Sequence, residues 1–329
     1  MTQHVDALIV GAGVVGLTTA ISLAEAGLAT RVQAAAPAGQ TTSITAGAIW
    51  GPVRCGPPDK CREWARVGLE VLSELAADPS AAIRDVSGVE LSRRPLAPPQ
   101  WLDLLPSQRL LGDGEIPDGF ASGWRYTAPV VTMPEYLAYL VARYARAGGS
   151  VEIAPVTSLA ALDAPVIVNC TGIGARDLVP DPEVIPVRGQ VVVVRNPGID
   201  EFYIDRTGGV NYTYIFPHKD VVILGGTAEE GASDMAPRPS IAMRILSDCV
   251  PVQPRLRGAE VVTHRVGLRP CRPQVRLEAE ALGGGRGLWH NYGHGGAGVT
   301  LAWGCARELT EAVVSGGGSK AARPVIHSG

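Results

Sequence analysis

The chain has 329 residues, a formal net charge of −3, 46% hydrophobic residues and 19% charged residues. This length suggests two domains or one large α/β domain, and the composition is that of a globular chain that can bury a large core. Basic and acidic residues are spread along the whole chain, which argues against a nucleic-acid-binding protein.

The six cysteines and the N-terminal segment indicate the compartment. The cysteines form no CxxC pair and no zinc-type spacing, so we expect single buried thiols, no metal site and a reducing environment. The first apolar run is too short to span a membrane and follows no basic segment. We therefore expect no signal peptide, no membrane partner and a cytoplasmic location.

The N-terminal segment predicts a βαβ unit. "DALIV" (residues 6–10) reads as a buried parallel strand, and residues 14–27 have helical spacing that ends at Gly27. "ATRVQAA" (residues 29–35) then reads as a second strand.

Further along the chain, helices alternate with strand-rich segments. Residues 61–77 and 132–147 predict helices, and Thr132 and Glu135 have the spacing of a capping box. Residues 165–172 predict another buried strand, and four strand-like runs between 189 and 226 predict an antiparallel sheet.

The last segment returns to the nucleotide-binding pattern. Residues 287–300 read as a strand followed by a glycine-rich loop, residues 301–314 as a helix, and the rest as a mobile tail. Units of nucleotide-binding type thus occur at the start, middle and end of the chain. This predicts a discontinuous nucleotide-binding domain interleaved with a second domain.

The motif Gly11-x-Gly13-x-x-Gly16 lies between the first strand and the first helix. Gly11 permits a tight turn, Gly13 lets the backbone approach a pyrophosphate, and Gly16 allows close packing of helix on strand. The helix N-terminus then presents free N–H groups to an anionic ligand.

The acidic residue that usually binds the adenosine ribose is missing. Its place after the second strand reads Ala34-Ala35-Ala36, and no basic residue stands there to bind a 2′-phosphate. This argues against NADP and weakens NAD, whereas a retained flavin dinucleotide has enough other contacts to lose one. Gln33, another residue or water is then left to meet the ribose hydroxyls.

The stretch "HNYGHGGAGVT" contains His290, His294 and four glycines ahead of a helix. The two histidines suggest catalysis or a metal, but no carboxylate-bearing helix completes a metalloprotease pattern. The loop is better interpreted as a second helix N-terminus aimed at a ligand that becomes anionic, such as a reduced flavin.

Two segments supply candidate substrate-binding side chains. In "GLRPCRPQVRLE", Arg269, Arg272 and Arg276 lie on a proline-flanked segment that suits bidentate recognition of a carboxylate; two of the three are expected to be structural. In "NYTYIFPH", Tyr212 and Tyr214 share one strand face and either pack in the core or line a pocket.

Taken together, these motifs resemble the D-amino acid oxidase family of FAD enzymes, which includes D-aspartate oxidases. "GAGVVGLTTA", "TTSITAGAIWGP", "VIVNCTG", "RGQVVVV", "NYTYIFP", "GLRPCRPQVRLE" and "HNYGHGGAGVT" occur in the family's order. The resemblance implies oxidative deamination of D-amino acids to 2-oxo acids, ammonia and hydrogen peroxide, with hydride transfer from Cα to FAD and oxygen as the acceptor. It leaves open D-aspartate oxidase, glycine oxidase or a flavin D-amino acid dehydrogenase.

The resemblance also implies an α/β fold of two domains, in which a glutathione-reductase-like Rossmann domain for FAD is interleaved with a substrate domain on a curved, largely antiparallel sheet. The implied FAD domain comprises residues 1–55, 145–180 and 281–320, the substrate domain residues 56–144 and 181–280, and the flexible tail residues 316–329. The partners implied are a small-molecule substrate and oxygen, with no nucleic acid and no membrane; a homodimer is allowed.

Site residues follow from the same motifs. Arg269 would pair with the substrate carboxylate, Tyr214 would donate a hydrogen bond to it, and the Gly296 carbonyl would accept one from the amine. The residues implied to bind FAD are Gly11, Gly13, Val14, Val15, Gly16, Thr41, Thr42, Ser43, Ala48, Ile49, Trp50, Thr171, Gly172, Gly295, Gly298, Val299 and Thr300.

The chain departs from the family's pattern around the pocket. Val210 stands where many members have a second pocket tyrosine, Gly51 replaces a larger polar residue, and the segment before Val210 is short. We therefore expect an open pocket with broad specificity for neutral D-amino acids. Two further alternatives remain at this point: an NAD-dependent Rossmann dehydrogenase and a non-catalytic flavoprotein scaffold.

Overall fold

A computed structural model of the chain describes residues 4–112, 114–207 and 211–317. Val210, where the chain departs from the family's pattern, and most of the predicted tail therefore lie outside the described residues. The strands, numbered in chain order, are β1 Ala7–Val10, β2 Thr30–Ala34, β3 Ile83–Ser92, β4 Gln108–Leu110, β5 Ser122–Val131, β6 Ser150–Ile153, β7 Val166–Asn169, β8 Ile185–Arg195, β9 Phe202–Asp205, β10 Asn211–Pro217, β11 Val221–Thr227, β12 Glu229–Glu230, β13 Val261–Gly283 and β14 Arg286–His294. The helices are α1 Val14–Glu25, α2 Pro58–Leu75, α3 Met133–Arg146, α4 Ala175–Leu178, α5 Pro239–Val252 and α6 Gly298–Ala312.

The parallel part of the sheet has the strand order β6-β2-β1-β7-β14. In its centre, Ala7 of β1 pairs with Thr30 of β2 on one side and with Val166 of β7 on the other. These strands come from the beginning, middle and end of the chain. Strands from three distant segments of the chain therefore lie side by side in one parallel sheet.

The second part of the sheet has the order β4-β5-β3-β9-β10-β11-β8-β13 and is antiparallel except where β3 pairs with β9. Strand β13 joins the two parts: its first half pairs with β8 and its second half with β14. The predicted α/β architecture, with a nucleotide-binding sheet and a largely antiparallel sheet, is confirmed.

Helices cover the parallel strands and define the core. Helix α1 packs against α3 and α6, and α2 packs against α6. The six cysteines are free thiols, as predicted, although Cys55 and Cys271 are only half-buried. None of the helices in the described ranges is long and apolar enough to cross a membrane.

The capping box predicted at Thr132 does not form. Thr132 is the N-cap of α3, but its side chain makes no cap hydrogen bond. Its hydroxyl instead pairs with Nδ1 of the buried His218 at 3.1 Å. A tertiary partner that directly follows β10 thus replaces the local hydrogen bond that the sequence pattern suggested.

Helices α2 and α6 cross at two buried glycines. A Cβ on Gly68 would lie 2.0 Å from the carbonyl oxygen of Thr300, and one on Gly304 would lie 2.3 Å from Cα of Trp64. No side chain fits at either position unless the helices separate. This close approach fixes the N-terminal turn of α6, to which Thr300 belongs.

We expect Gly68→Ala to lower the free energy of unfolding by about 1–3 kcal/mol, because the added methyl group forces two packed backbones apart. Urea titration of the purified protein measures the change. Gly39→Ala is the matched control, since a Cβ there meets nothing within 4 Å. Equal urea midpoints for Gly68→Ala and the wild type would contradict the role given to this crossing.

Candidate active site

One cavity of about 1130 Å³ lies where the parallel strands meet the antiparallel sheet. It is lined by the loops that follow β1 and β7, by residues 41–51, by the inner face of β10, and by the segments around Arg269 and Gly296. All the predicted site residues except Gly16 line this cavity. The structure thus brings together motifs that are far apart in the sequence.

The glycine motif forms a turn with a bare backbone at one end of the cavity. Gly11 has a φ of +116°, and a Cβ there would lie 2.5 Å from the carbonyl oxygen of Cys170. Gly16 serves packing, because its Cβ would lie 1.9 Å from the Gly11 carbonyl oxygen. The motif therefore has the division of roles that a dinucleotide turn requires.

The N-terminus of α1 opens onto this turn. Its first turn contains no acidic residue, and its N-cap Gly13 provides no side-chain cap. The Val14 N–H donates to Ser43 Oγ at 3.0 Å. Because the dipole's positive end and the remaining N–H groups face the cavity, this end suits a pyrophosphate.

The hydroxyls at residues 41–43 have different partners. Thr41 Oγ1 donates to the carbonyl of Ala38 at 2.8 Å, so its proton is used within the protein. Ser43 Oγ accepts from Val14, which leaves the Ser43 hydroxyl proton to be donated. Of these two, Ser43 is the better placed to donate to a ligand.

The position of the missing ribose-binding acid is occupied by small apolar side chains. Ala34, Ala35 and Ala36 line the cavity, whereas Gln33 does not. The Gln33 side chain instead donates to the carbonyl of Ala154 at 3.3 Å. The suggestion that Gln33 replaces the acid is therefore wrong, since its side chain is bound to Ala154 outside the cavity lining.

A second helix N-terminus enters the cavity at α6. Its first turn contains no acidic residue, and Ala297 provides no side-chain cap. The Thr300 hydroxyl is bound on both sides to Gly51, accepting from its N–H at 3.1 Å and donating to its carbonyl at 3.2 Å. The Thr300 side chain thus fixes the helix end, and its backbone remains for a ligand.

The histidine of the glycine-rich loop carries no charge at neutral pH. His294 is buried beside the cavity, and burial lowers its pKa to about 4. His290 is buried as well, and desolvation also lowers its pKa. Neither side chain is suited to act as a cationic acid near pH 7, so the interpretation of this loop as a helix N-terminus is favoured.

The three arginines on β13 differ in their partners. Arg272 binds Asp181 at 3.1 Å, and Arg276 binds Glu278 at 2.6 Å. Within the described ranges, Arg269 has no carboxylate partner, and its Nη1 donates to the carbonyl of Thr227 at 3.0 Å. Only Arg269 of the three therefore presents an uncompensated charge to the cavity.

Two glycines allow the side chains of Arg269 and Tyr214 to lie directly against the strand backbone. A Cβ on Gly189 would lie 2.4 Å from Nη1 of Arg269, and one on Gly225 would lie 1.8 Å from Cζ of Tyr214. The sequence analysis missed both residues, although a glycine inside a strand pattern indicates a close approach by another group. Burial raises the pKa of the Tyr214 phenol, opposed by the Arg269 charge, so the hydroxyl stays a donor.

The profile of the FAD dependent oxidoreductase family DAO matches residues 6–312. The chain belongs to this family. It is 48% identical over 306 residues to a D-amino-acid oxidase of Rubrobacter xylanophilus, covering 92% of this chain and 94% of the relative. It is 46% identical over 307 residues to a D-amino-acid oxidase of Streptomyces coelicolor, covering 92% and 95%.

A more distant relative and a solved structure are also similar to this chain. Human D-aspartate oxidase is 32% identical over 323 residues, covering 93% of each chain. The solved structure of glycine oxidase from Bacillus cereus superimposes with a TM-score of 0.79 at 18% identity, covering 98% of this chain and 100% of that one. This structural likeness supports the fold described above.

This member of the DAO family is an FAD-dependent oxidoreductase, and its residues fit the cofactor. The bare backbone of Gly11 and Gly13 leaves room for a diphosphate, and the N-termini of α1 and α6 open onto one cavity without acidic residues. The NAD-dependent alternative is therefore excluded.

We expect Ala35→Glu to lower the dissociation constant of FAD by about fivefold. A carboxylate there can accept a hydrogen bond from a ribose hydroxyl, and such a bond stabilises the complex by about 1 kcal/mol. Fluorescence titration of the apoprotein with FAD measures this. Gln33→Glu adds the same charge on the face turned away from the cavity and should not tighten binding. An unchanged or higher constant for Ala35→Glu would count against the assignment.

Burial of His218 and His294 makes stability depend on pH. Burial lowers the pKa of each to about 4, whereas an unfolded histidine titrates near 6.5. The unfolded chain therefore takes up protons first as the pH falls. The free energy of unfolding therefore keeps the full contribution of these two groups above about pH 6.5 and loses it as the pH falls from about 6.5 to 4.

When the pH is lowered from about 7.5 to 5, the free energy of unfolding should fall in both proteins. We expect this fall to be about 2 kcal/mol smaller in His218→Gln than in the wild type, because the variant lacks the buried imidazole. Urea unfolding at both pH values measures the difference. Exposed His264 provides the control, and His264→Gln should keep the wild-type pH dependence. A His218→Gln variant with the wild-type slope would refute the assignment.

Proposed function

We propose that the protein oxidises D-amino acids to 2-oxo acids and ammonia, with oxygen as electron acceptor and hydrogen peroxide as second product. The observation that carries this proposal is the unpaired Arg269 beside the Tyr214 ring in the cofactor cavity. Relatives at 46–48% identity that are named D-amino-acid oxidases support it. A cytoplasmic location and a homodimer belong to the same proposal, as does the division into two interleaved domains.

The carboxylate of the substrate binds to Arg269 and Tyr214. One Nη of Arg269 is fixed by the Thr227 carbonyl, which leaves donors of the planar guanidinium free for a bidentate contact. Tyr214 stacks on Phe216 with ring centroids 4.5 Å apart, which holds its hydroxyl in place. Both groups are positioned before the substrate arrives, so less entropy is lost on binding.

The amine of the substrate binds to the loop that precedes α6. A Cβ on Gly296 would lie 3.7 Å from Cδ of Arg269, so this loop and the arginine are in contact. We infer that the Gly296 carbonyl accepts from the amine while Arg269 holds the carboxylate of the same molecule. Two fixed ends orient Cα of one enantiomer toward the cofactor.

FAD, when bound, accepts the hydride from Cα and passes the electrons to oxygen. The chain contributes orientation and electrostatics, because neutral His294 is the histidine that lines the cavity and no catalytic base is required for a neutral amine. The N-terminus of α6 presents its positive dipole end to the cavity. This end favours the accumulation of negative charge beside it.

An absorbance spectrum of the purified protein, followed by anaerobic addition of amino acids, tests the proposal. A band at about 450 nm is expected, and D-alanine but not L-alanine should bleach it. Peroxide release in air distinguishes an oxidase from a dehydrogenase. D-aspartate and glycine in the same panel test the two related oxidase activities.

Replacing Arg269 by lysine tests the carboxylate contact. We expect KM for D-alanine to rise about thirtyfold, which corresponds to about 2 kcal/mol, because lysine cannot reproduce a bidentate contact. Steady-state peroxide production measures it. Arg276→Lys is the control, since Arg276 pairs with Glu278 and lies outside the cavity lining. A KM for Arg269→Lys within a factor of two of the wild type would contradict the assignment.

A further inference from the structure

The cavity extends beyond Arg269 and Tyr214 to a buried charged pair. Glu90 of β3 is 3% exposed, and Arg206 follows β9 directly. Arg206 Nη1 donates to Glu90 Oε1 at 2.5 Å, and the Tyr126 hydroxyl donates to Glu90 Oε2 at 2.8 Å. All three residues line the same cavity as Arg269.

Strand register places this pair on the substrate side of the sheet. Ile204 of β9 pairs with Tyr214 on one side and with Glu90 on the other. Directly paired side chains share one face of a sheet, and neighbouring strands are about 4.8 Å apart. The Glu90 backbone is therefore about 10 Å from that of Tyr214 across the sheet. A substrate side chain that extends along this face from Cα points toward the pair.

The walls between the two charged regions are aromatic and apolar. Trp101 packs edge-on against Tyr126, with ring centroids 5.7 Å apart, and also lines the cavity. Gly51 leaves the Trp101 ring uncovered, since a Cβ on Gly51 would only just touch it at 3.9 Å. Ile204, which lies between Tyr214 and Glu90 on this face, also lines the cavity, so the wall between the two charged regions is apolar.

The charge of Arg206 is already balanced. Its guanidinium pairs with Glu90, and the neighbouring Asp205 pairs with Arg93 at 3.3 Å.

We propose, building on the function proposed above, that Glu90 determines substrate charge selectivity. By neutralising Arg206 at the end of the side-chain pocket, it makes the pocket accept neutral D-amino acids and disfavour acidic ones. Tyr126 holds the Glu90 carboxylate toward Arg206. If Glu90 lost its charge, Arg206 would become a receptor for a side-chain carboxylate.

The test uses D-glutamine and D-glutamate, which have the same shape and differ in charge. The measured quantity is the ratio of kcat/KM for D-glutamine to that for D-glutamate in each holoenzyme. The wild type should favour D-glutamine. In Glu90→Gln the ratio should fall at least about tenfold, mainly through KM for D-glutamate, because a charge-assisted hydrogen bond becomes available.

Two further variants locate the effect. Arg206→Gln leaves the Glu90 charge facing the pocket, so the ratio should rise above the wild-type value. Adding Arg206→Gln to Glu90→Gln should abolish the gain for D-glutamate, which a double-mutant cycle quantifies. Glu63→Gln removes an exposed surface carboxylate that pairs with Lys60 and should leave the ratio unchanged.

The outcomes separate this inference from the proposed function. D-alanine turnover and flavin absorbance are recorded for every variant to establish that it is folded and active. If no D-amino acid reduces the wild-type flavin, the proposed function fails and the inference falls with it. If D-alanine is oxidised but the ratio is the same in the wild type, Glu90→Gln and Arg206→Gln, only the inference is overturned. If Glu90→Gln does not fold, the direction of change in Arg206→Gln decides.

Discussion

The cavity depends on one strand that belongs to both parts of the sheet. The first half of β13 pairs with β8 of the antiparallel part, and its second half pairs with β14 of the parallel part. Arg269 lies near the change of partner, opposite Val187 and beside the loop that carries Gly296. The arginine that we propose to bind the substrate is therefore fixed by the same backbone hydrogen bonds that join the two parts of the sheet.

The distribution of charge around the cavity follows from this frame. Two helix N-termini without acidic residues leave a positive field for the cofactor. Arg269, which has no carboxylate partner among the described residues, adds a cation where we propose that the substrate carboxylate binds. Arg272 is neutralised by Asp181, and Arg276 is neutralised by Glu278. The pairing pattern, rather than the number of arginines, thus decides which one can hold an anionic ligand.

The features that could be predicted from the sequence are those that depend on residues close together in the chain. The first βαβ unit, the glycine turn and the two helix N-termini follow from short motifs, and the strand-rich middle follows from periodicity. Glu90 and Arg206 were not found, because they are 116 positions apart and meet only through the pairing of β3 with β9. The predicted cap at Thr132 was wrong for the same reason, since His218 is 86 positions away along the chain.

The two glycines beneath Arg269 and Tyr214 show how a site can be rigid without a dense polar network. Gly189 and Gly225 remove the side chains that would otherwise keep Arg269 and Tyr214 away from the sheet. The two side chains then lie directly on strand backbone, which cannot rotate as a neighbouring side chain could. If hydride transfer depends mainly on orientation, this rigid support is a larger contribution of the protein than any proton-transferring group. It also explains why a cavity whose lining histidine is neutral can still be an active site.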